Sequence, residues 1–279
     1  MRLGKFRSPI VDRLVYGCFC FDILNYDWLV KRRNLLKLLS LEAIAFSVPN
    51  NSQAGTWSYT GETGADFWGE LDPDFKACNF GKAQSPIDIK SSVSSNFASL
   101  KLNYRDTPLK IINNGRTIRV DYQPGSYLTL DNRKYELLQF HFHQPSEHLI
   151  SGRALDMEAH LVHEDRTTGN LLVLAVLMSQ GKINRDLERV WDKIPFGDRT
   201  EEVSDLIINA ANLLPENISQ YYRYQGSLTT PPCSEIVTWL VLKQPVEISK
   251  LQINRFLEII GNNARPVQPL NDRILSESK

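Results

Sequence analysis

The sequence predicts a mainly β, α+β fold, with a single domain built on a large, mostly antiparallel, twisted central sheet and a few peripheral helices. Residues 84–180 consist mostly of short runs with the apolar and polar alternation of half-buried strands. Turn residues separate these runs, and only three segments have helical character. Apolar residues make up 42% of the 279-residue chain, which is enough for a sizeable core. Nothing marks a second domain within residues 55–279.

The predicted strands follow one another along the chain. Residues 55–83 are rich in glycine, aromatic and turn residues, and we interpret them as irregular. The segment Asn113-Asn114-Gly115 is a strong hairpin signal, and it joins runs at 109–112 and 117–122. The remaining strands are predicted at residues 127–130, 135–143, 157–163, 171–178 and 235–242.

Three helices are predicted, all of them in the second half of the chain. A short helix is expected at 184–193. Residues 201–214 have apolar side chains at helical spacing, with Thr200 as a cap and Pro215 after the end. Residues 249–260 begin at a Ser249–Gln252 capping box and stop at Gly261.

Residues 1–54 have the features of an export leader. Paired arginines at 31–37 precede a short apolar run at 38–48, and the segment ends in small residues at Ala54, as a twin-arginine signal does. Its net charge is +4, against −4 for the rest of the chain. Residues 1–30 have no evident role, and we interpret them as a gene-prediction extension before a start at Val30. The alternative is a basic stretch before a short core helix.

Charge and cysteine content limit the classes of partner. The whole chain has zero net charge, which predicts no nucleic-acid partner. The apolar run of the leader is too short to span a bilayer, so no stable membrane anchor is expected. Cys18 and Cys20 lie in the leader, and Cys78 and Cys233 lie in the body. The latter two are either a disulfide of an oxidising compartment or two unrelated thiols.

All five histidines of the chain lie between positions 141 and 163. His141 and His143 point to the same face of a strand, and His160 can join them from a neighbouring strand. Three imidazoles that converge in this way form a site for Zn²⁺ with one open coordination position, which is typical of a catalytic metal. Gln139 and Glu158 share the parity of these histidines and can hold the rings from behind.

Further segments accompany the histidines, and together they resemble the α-class carbonic anhydrases over residues 57–275. Residues 227–232 include Pro231 and Pro232 and predict an irregular loop before the last strand. The matching segments are Trp57-Ser58-Tyr59, residues 84–89, Asn113-Asn114-Gly115, residues 139–143, Ser146-Glu147-His148, residues 158–163, residues 227–232, Val237-Thr238-Trp239 and residues 265–270.

The resemblance implies a zinc-dependent, reversible hydration of carbon dioxide to bicarbonate and a proton, by attack of zinc-bound hydroxide. It implies that His141, His143 and His160 are the metal ligands, and that residues 55–279 are the catalytic domain. Gln139, Glu158 and His148 would surround and orient the ligands. The partner would be the small substrate, carbon dioxide or bicarbonate; the oligomeric state is left open.

The resemblance also implies roles for the remaining site residues. Thr229 would accept a hydrogen bond from the hydroxide, and its own hydroxyl would donate a hydrogen bond to Glu147. Tyr59 and Asn114 would organise solvent, and the cysteine pair would form the disulfide of exported members, periplasmic or extracellular. The substrate pocket would be formed by Val162, Val173, Leu228, Thr230, Val237 and Trp239.

One position departs from the family pattern. Fast members carry a histidine just after Asn-Gly as a proton shuttle, and this chain has Arg116 there. An arginine does not release its proton near neutral pH. We therefore predict turnover that is limited by proton transfer and rescued by small buffers such as imidazole.

Two other readings of the sequence remain open. The pattern His141-x-His143-x-x-x-Glu147 satisfies part of a cupin spacing, in which Glu147 would bind iron or manganese. The other alternative is a non-catalytic binding protein on the same fold. Such proteins typically lose a metal ligand, whereas all three histidines are present here.

Overall fold

The computed structural model describes residues 56–97 and 99–279, so the predicted leader lies outside the described residues. The strands are β1 (Asp88–Ile89), β2 (Val93–Ser95), β3 (Lys101–Asn103), β4 (Thr107–Asn113), β5 (Ile118–Asp121), β6 (Tyr127–Leu130), β7 (Arg133–His143), β8 (Leu149–Ile150), β9 (Met157–Glu164), β10 (Leu171–Gln180), β11 (Arg199–Ile208), β12 (Tyr221–Gly226), β13 (Val237–Leu242), β14 (Val246–Ile248) and β15 (Ser276–Ser278). The helices are α1 (Trp68–Leu71), α2 (Ala77–Phe80), α3 (Arg185–Trp191) and α4 (Lys250–Ile260).

A single large sheet dominates the described chain. Its strand order is β11-β4-β5-β7-β9-β10-β13-β12-β15-β2, with β14 beside β10 and β6 between β3 and β7. Most neighbours are antiparallel; the pairs β10–β13, β10–β14 and β15–β2 are parallel. A separate parallel pair joins β1 to β8. The predicted mainly β fold with a mostly antiparallel sheet is confirmed.

The hairpin predicted at Asn113-Asn114-Gly115 is confirmed. β4 and β5 pair in antiparallel register around Asn113, Asn114 and Gly115. Oδ1 of Asn114 accepts hydrogen bonds from the backbone N–H groups of Arg116 and Thr117. Gly115 has a φ of +71°, a conformation that costs glycine little because it lacks Cβ. The hairpin sets the register that brings β5 alongside β7.

The two faces of the sheet lie in different environments, and successive side chains of a strand point to opposite faces. On β9, Met157, Ala159 and Leu161 belong to the larger apolar core, which α3 and α4 cover with Trp191 and Phe256. The alternate residues of β9 point to the opposite face, where Val162 joins a smaller apolar cluster. The polar residues Glu158 and His160 also lie on that face, because strand side chains alternate. A sheet buried on both sides therefore carries the candidate site on its own central strands.

The helix predicted at residues 201–214 is wrong. These residues instead form most of β11, followed by a 3₁₀ helix at Ala210–Leu213. β11 pairs antiparallel with β4, and the register shifts between Val203 and Ile207. That irregularity breaks strict alternation and produces an apolar spacing that resembles a helix. Pairing with the otherwise open edge of β4 overrides the local pattern.

The other two predicted helices are confirmed. Asn184 caps α3 by accepting from the backbone N–H of Leu187. The capping box of Ser249 and Gln252 opens α4, and Gly261 ends it. The segment predicted as irregular also contains α1, α2 and 3₁₀ helices at Gly61–Thr63, Ala65–Phe67 and Pro73–Phe75, each only three or four residues long. Within the described residues, no helix has the length and apolar character needed to span a membrane.

Candidate metal centre

The register of two central strands brings the three histidines together. His141 on β7 stands directly opposite His160 on β9, and His143 stands opposite Glu158. Ring centroids are 5.0 Å apart for His141 and His143, 5.2 Å for His141 and His160, and 4.5 Å for His143 and His160. One ring nitrogen from each histidine lies within 4.8 Å of the others, close enough to share one ion. The predicted convergence is therefore present.

Each ring is held by an acceptor on its far side. Nδ1 of His141 donates to Oε1 of Gln139 (2.9 Å), and Nδ1 of His143 donates to the carbonyl of Asn263 (2.9 Å). Nε2 of His160 donates to Oε1 of Glu158 (2.8 Å). A neutral imidazole that donates from one nitrogen has a lone pair on the other. The lone pairs of Nε2 in His141 and His143 and Nδ1 in His160 are thus left for a cation.

The donor set fits zinc on two physical grounds. Nε2 of His143 and Oε2 of Glu147 are buried and have no hydrogen-bond partner within the described chain, which a metal and its solvent would correct. Burial lowers the pKa of His143 to about 4, so this ring is neutral at pH 7 and able to ligate. Burial, with the neighbouring His143 and His160, also lowers the pKa of His141 well below its usual value. Neutral imidazoles are ordinary zinc ligands.

Glu147 lies beside the three rings in a buried pocket. Its Oε1 accepts from the backbone N–H of Arg265 (2.9 Å), and its Oε2 lies 3.8 Å from Nδ1 of His160. Burial raises the pKa of Glu147 to about 7, although His160, the Arg265 N–H and the hydroxyl of Thr229 oppose the rise. Thr229 is also buried. Thr229 and Glu147 are therefore close enough for the predicted hydrogen bond between their side chains.

A buried hydrogen-bond chain extends from His160 away from the cavity. Glu158 accepts from His160, from Nδ1 of His148 (2.7 Å) and from the backbone N–H of His148 (2.8 Å). Burial opposes ionisation of Glu158, but these two histidines together lower its pKa well below the usual value. Nε2 of His148 lies 2.7 Å from the hydroxyl of Tyr224, which in turn bonds Ser85. The chain fixes the carboxylate that orients His160.

A cavity opens onto two of the three histidines. It has a volume of about 170 Å³, and its lining includes His141, His143 and Thr230. On the same face of the sheet, the ring of Trp239 lies 4.8 Å from that of His160. Every apolar residue predicted for the substrate pocket belongs to the smaller apolar cluster of this face: Val162, Val173, Leu228, Val237 and Trp239.

The residues predicted at the mouth of the site also line this cavity: Tyr59, Asn114 and Arg116. Burial raises the pKa of Tyr59 above its ordinary value, which makes it still less able to relay a proton. Nε of Arg116 donates to the carbonyl of Trp57 (3.2 Å), and its guanidinium lies 4.5 Å from the centre of the Trp57 ring. Arg116 is thus held at the rim by a hydrogen bond and a cation–π contact.

Cys78 and Cys233 form a disulfide, with Cα atoms 5.0 Å apart. It joins α2 to the loop that carries Thr229, and the backbone N–H of Cys233 donates to the carbonyl of Thr230. The two cysteines pack with Trp68 and Phe75 in a small buried cluster. Of the two possibilities left by the sequence, the bridged pair is confirmed.

Several residues that hold the site were not predicted from the sequence. Asn263 and Arg265 contact His143 and Glu147 from more than a hundred positions away, and no local pattern signals them. Tyr224 was likewise missed. Arg119 lines the cavity and stands opposite His141 in the sheet. Its parity in the alternating run at 117–122 could have found it.

A mostly antiparallel sheet that carries three convergent histidines beside a cavity is typical of β-sheet enzymes that use a metal ion. The family model of the eukaryotic-type carbonic anhydrases matches residues 63–279. The chain belongs to this family, the α-class carbonic anhydrases, which are lyases that hydrate carbon dioxide. The cupin alternative is therefore wrong.

Similar proteins support the assignment along nearly the whole described chain. A carbonic anhydrase of Nostoc sp. is 44% identical over 259 residues, with 88% of this chain and 97% of the relative covered. A carbonic anhydrase of Neisseria gonorrhoeae is 43% identical, with coverage of 87% and 96%. The structure of the α-carbonic anhydrase from Thermovibrio ammonificans with the inhibitor sulfanilamide has a TM-score of 0.76 at 43% identity, and covers 81% of this chain and 99% of that one.

Proposed function

We propose that this protein is a zinc enzyme that reversibly hydrates carbon dioxide to bicarbonate and a proton. The observation that carries the proposal is the cluster of His141, His143 and His160, whose ring nitrogens lie within 4.8 Å of one another. The ligand set leaves room for solvent, as catalytic zinc sites do. Membership of the carbonic anhydrase family supplies the reaction.

The three histidines would hold the metal through the nitrogens that face away from Gln139, Asn263 and Glu158. When bound, zinc supplies a hydroxide nucleophile at neutral pH. Carbonic anhydrase is itself the standard example of this effect. The three acceptors keep each ring in the tautomer that can ligate, so the chain presents a preorganised set of lone pairs.

Thr229 and Glu147 would align the nucleophile. Glu147 is anchored by the backbone N–H of Arg265, and Arg265 is fixed by hydrogen bonds to Gln84 and to the carbonyls of Ser85 and Cys78. In our proposal the hydroxyl of Thr229 donates to Glu147 and so presents only a lone pair to the reacting solvent. Its backbone N–H would stabilise the substrate oxygen as negative charge develops there.

The apolar cluster on the site face would receive carbon dioxide. Val162, Val173, Val237 and Trp239 are buried side by side in it, and Leu228 packs against them. Carbon dioxide has no net charge or hydrogen-bond donor, so a dry apolar surface is suitable for it, whereas bicarbonate is better solvated by water. This difference would favour release of the product into the cavity.

We further propose that residues 55–279 are the catalytic domain of an exported protein. The family match lies within these bounds, and a buried disulfide is consistent with an oxidising compartment. Export by the twin-arginine route to the periplasm or beyond stays a prediction from residues 1–54. The absence of a nucleic-acid partner and the absence of a stable membrane anchor also stay predictions.

Purified full-length protein should contain one zinc per chain and accelerate carbon dioxide hydration in a stopped-flow pH assay. Removal of the metal by a chelator should abolish the activity, and added Zn²⁺ should restore it. Sulfanilamide, which inhibits the Thermovibrio ammonificans relative, should inhibit here. A second preparation of residues 55–279 tests the domain bounds. Stoichiometric zinc without hydration would instead favour the non-catalytic alternative.

Proton export is the step at which this chain should be slow. Arg116 occupies the rim of the cavity and contacts Trp57, but its guanidinium keeps its proton near pH 7. We predict that turnover rises with the concentration of imidazole until proton transfer is no longer limiting. At low buffer concentration, Arg116→His should raise turnover by about tenfold or more, since a placed acid–base group contributes at least that much.

Arg116→Gln is the matched control for this substitution. It removes the same contacts with Trp57 but adds no titratable group, so it should leave the dependence on imidazole in place. Turnover that is fast and indifferent to buffer concentration in the unsubstituted protein would contradict the prediction. The relevant readout is the maximal rate of hydration as a function of imidazole concentration at constant pH.

A further inference from the structure

The mouth of the cavity carries two arginines. Arg116 lies in the turn after β4, and Arg119 lies on β5 directly opposite His141. Both line the cavity of about 170 Å³ that contains His141 and His143. The proposed hydration of carbon dioxide does not need either guanidinium. Both side chains are partly exposed and share a cavity with two of the proposed metal ligands, which calls for a separate explanation.

Each guanidinium has a polar contact with the protein at its Nε edge. Nε of Arg116 donates to the carbonyl of Trp57 at 3.2 Å. Nε of Arg119 lies 2.9 Å from Oδ1 of Asp121, an ion pair without hydrogen-bond geometry. Within residues 56–97 and 99–279, the terminal nitrogens of both side chains have no hydrogen-bond acceptor from the protein. The side chain of Arg119 is 38% exposed. Both guanidinium groups thus offer N–H donors that the described protein does not use.

The charges around the mouth leave an excess of positive charge. Asp121 is paired with Arg119, so it offsets only one of the two guanidiniums. Glu147 and Glu158 are fully buried beneath the histidines and are already held by the Arg265 N–H and by His148. Planar guanidinium forks bind phosphate and carboxylate oxygens through paired hydrogen bonds. The geometry is therefore suited to a small oxyanion.

We propose that Arg116 and Arg119 form an oxyanion subsite, and that an anionic buffer such as hydrogen phosphate uses it to remove the proton of the reaction. This rests on the proposed carbon dioxide hydration. The step is a proton transfer only: hydration of carbon dioxide yields bicarbonate and a proton, hydrogen phosphate takes that proton, and dihydrogen phosphate leaves. The arginine pair would replace an internal shuttle by recruiting an external one.

Direct binding of inorganic phosphate tests the subsite without reference to turnover. Isothermal titration of the full-length protein, as purified, should show phosphate binding that sulfate displaces. Arg119→Gln should weaken this binding about tenfold or more, since it removes a charge-assisted contact. Arg133→Gln, at the exposed start of β7 and outside the cavity, should leave it unchanged. Phosphate binding equal in the Arg119 variant and the unsubstituted protein would overturn the proposal.

Kinetics test the use of the site. At equal buffer concentration and pH, hydrogen phosphate should support faster hydration than imidazole, and Arg119→Gln should lower the phosphate-to-imidazole ratio of rates by about tenfold. Sulfate, which accepts no proton near neutral pH, should suppress rescue by phosphate and spare rescue by imidazole. Inhibition by phosphate, or a ratio unchanged by Arg119→Gln, would overturn the proposal.

The two proposals fail in different ways. Absence of hydration in every buffer would refute the proposed function, and the subsite would then be judged by the titration of phosphate alone. Hydration that imidazole and phosphate support equally would leave the enzyme assignment intact and refute the subsite.

Discussion

Replacing His143 by alanine is expected to remove zinc from the protein and to lower carbon dioxide hydration by more than a thousandfold, since changes to groups that merely orient ligands already cost about 10–100-fold. His143 is 1% exposed, and its Nε2 is buried without a hydrogen-bond partner in the described chain. Its other nitrogen is committed to the carbonyl of Asn263. Nε2 of His143 is thus the nitrogen that remains for a metal ion shared with His141 and His160.

The measurement is zinc per chain by mass spectrometry after dialysis, together with stopped-flow hydration. His163→Gln is the matched control, because His163 is also fully buried on β9 but faces the larger core, where it pairs with Tyr104. That variant should lose stability and keep its zinc. Far-ultraviolet circular dichroism of His143→Ala should remain that of a folded β protein. A His143→Ala protein that retained one zinc per chain would refute the assigned ligand set.

Removing the disulfide, by replacing Cys78 and Cys233 with serine, is expected to lower the free energy of unfolding by about 2–5 kcal/mol. The two cysteines are 155 positions apart, so the bridge closes a long loop and restricts the unfolded chain strongly. The chain-entropy relation gives about 5 kcal/mol for a loop of this length, as an upper value. The lost packing against Trp68 and Phe75 adds to the effect.

Urea denaturation followed by tryptophan fluorescence measures the loss. Reduction of the unsubstituted protein with dithiothreitol should reproduce the destabilisation, and the double variant should not respond to the reductant. The bridge also tethers the loop that contains Thr229. The carbon dioxide hydration activity of the double variant should therefore fall at temperatures well below the midpoint of its thermal unfolding. Equal stability of the oxidised protein and the double variant would show that the bridge contributes nothing.

Much of the site could be predicted because its key spacing is local. His141 and His143 are two residues apart on a strand, so their common face follows from geometry alone. His160 and Glu158 obey the same parity on the neighbouring strand. The roles inferred for Thr229 and Glu147 depended on the family resemblance, and they stay predictions.

The remainder depends on contacts between distant parts of the chain. The groups that fix His143 and Glu147 come from Asn263 and Arg265, more than a hundred residues later. The failed helix at 201–214 has the same cause, since pairing with β4 decides the conformation there. A local pattern reports which faces are apolar, but it does not report which partner will cover them.

The three histidines proposed as metal ligands lie within β7 and β9, strands that are hydrogen-bonded to neighbours on both sides, rather than on surface loops. Backbone amides in such central strands exchange with solvent only when the whole domain opens, whereas loops fluctuate freely. The arrangement of the three rings should therefore be lost only when the domain itself unfolds. For protein with its metal bound, loss of activity during denaturation should coincide with loss of the native fold.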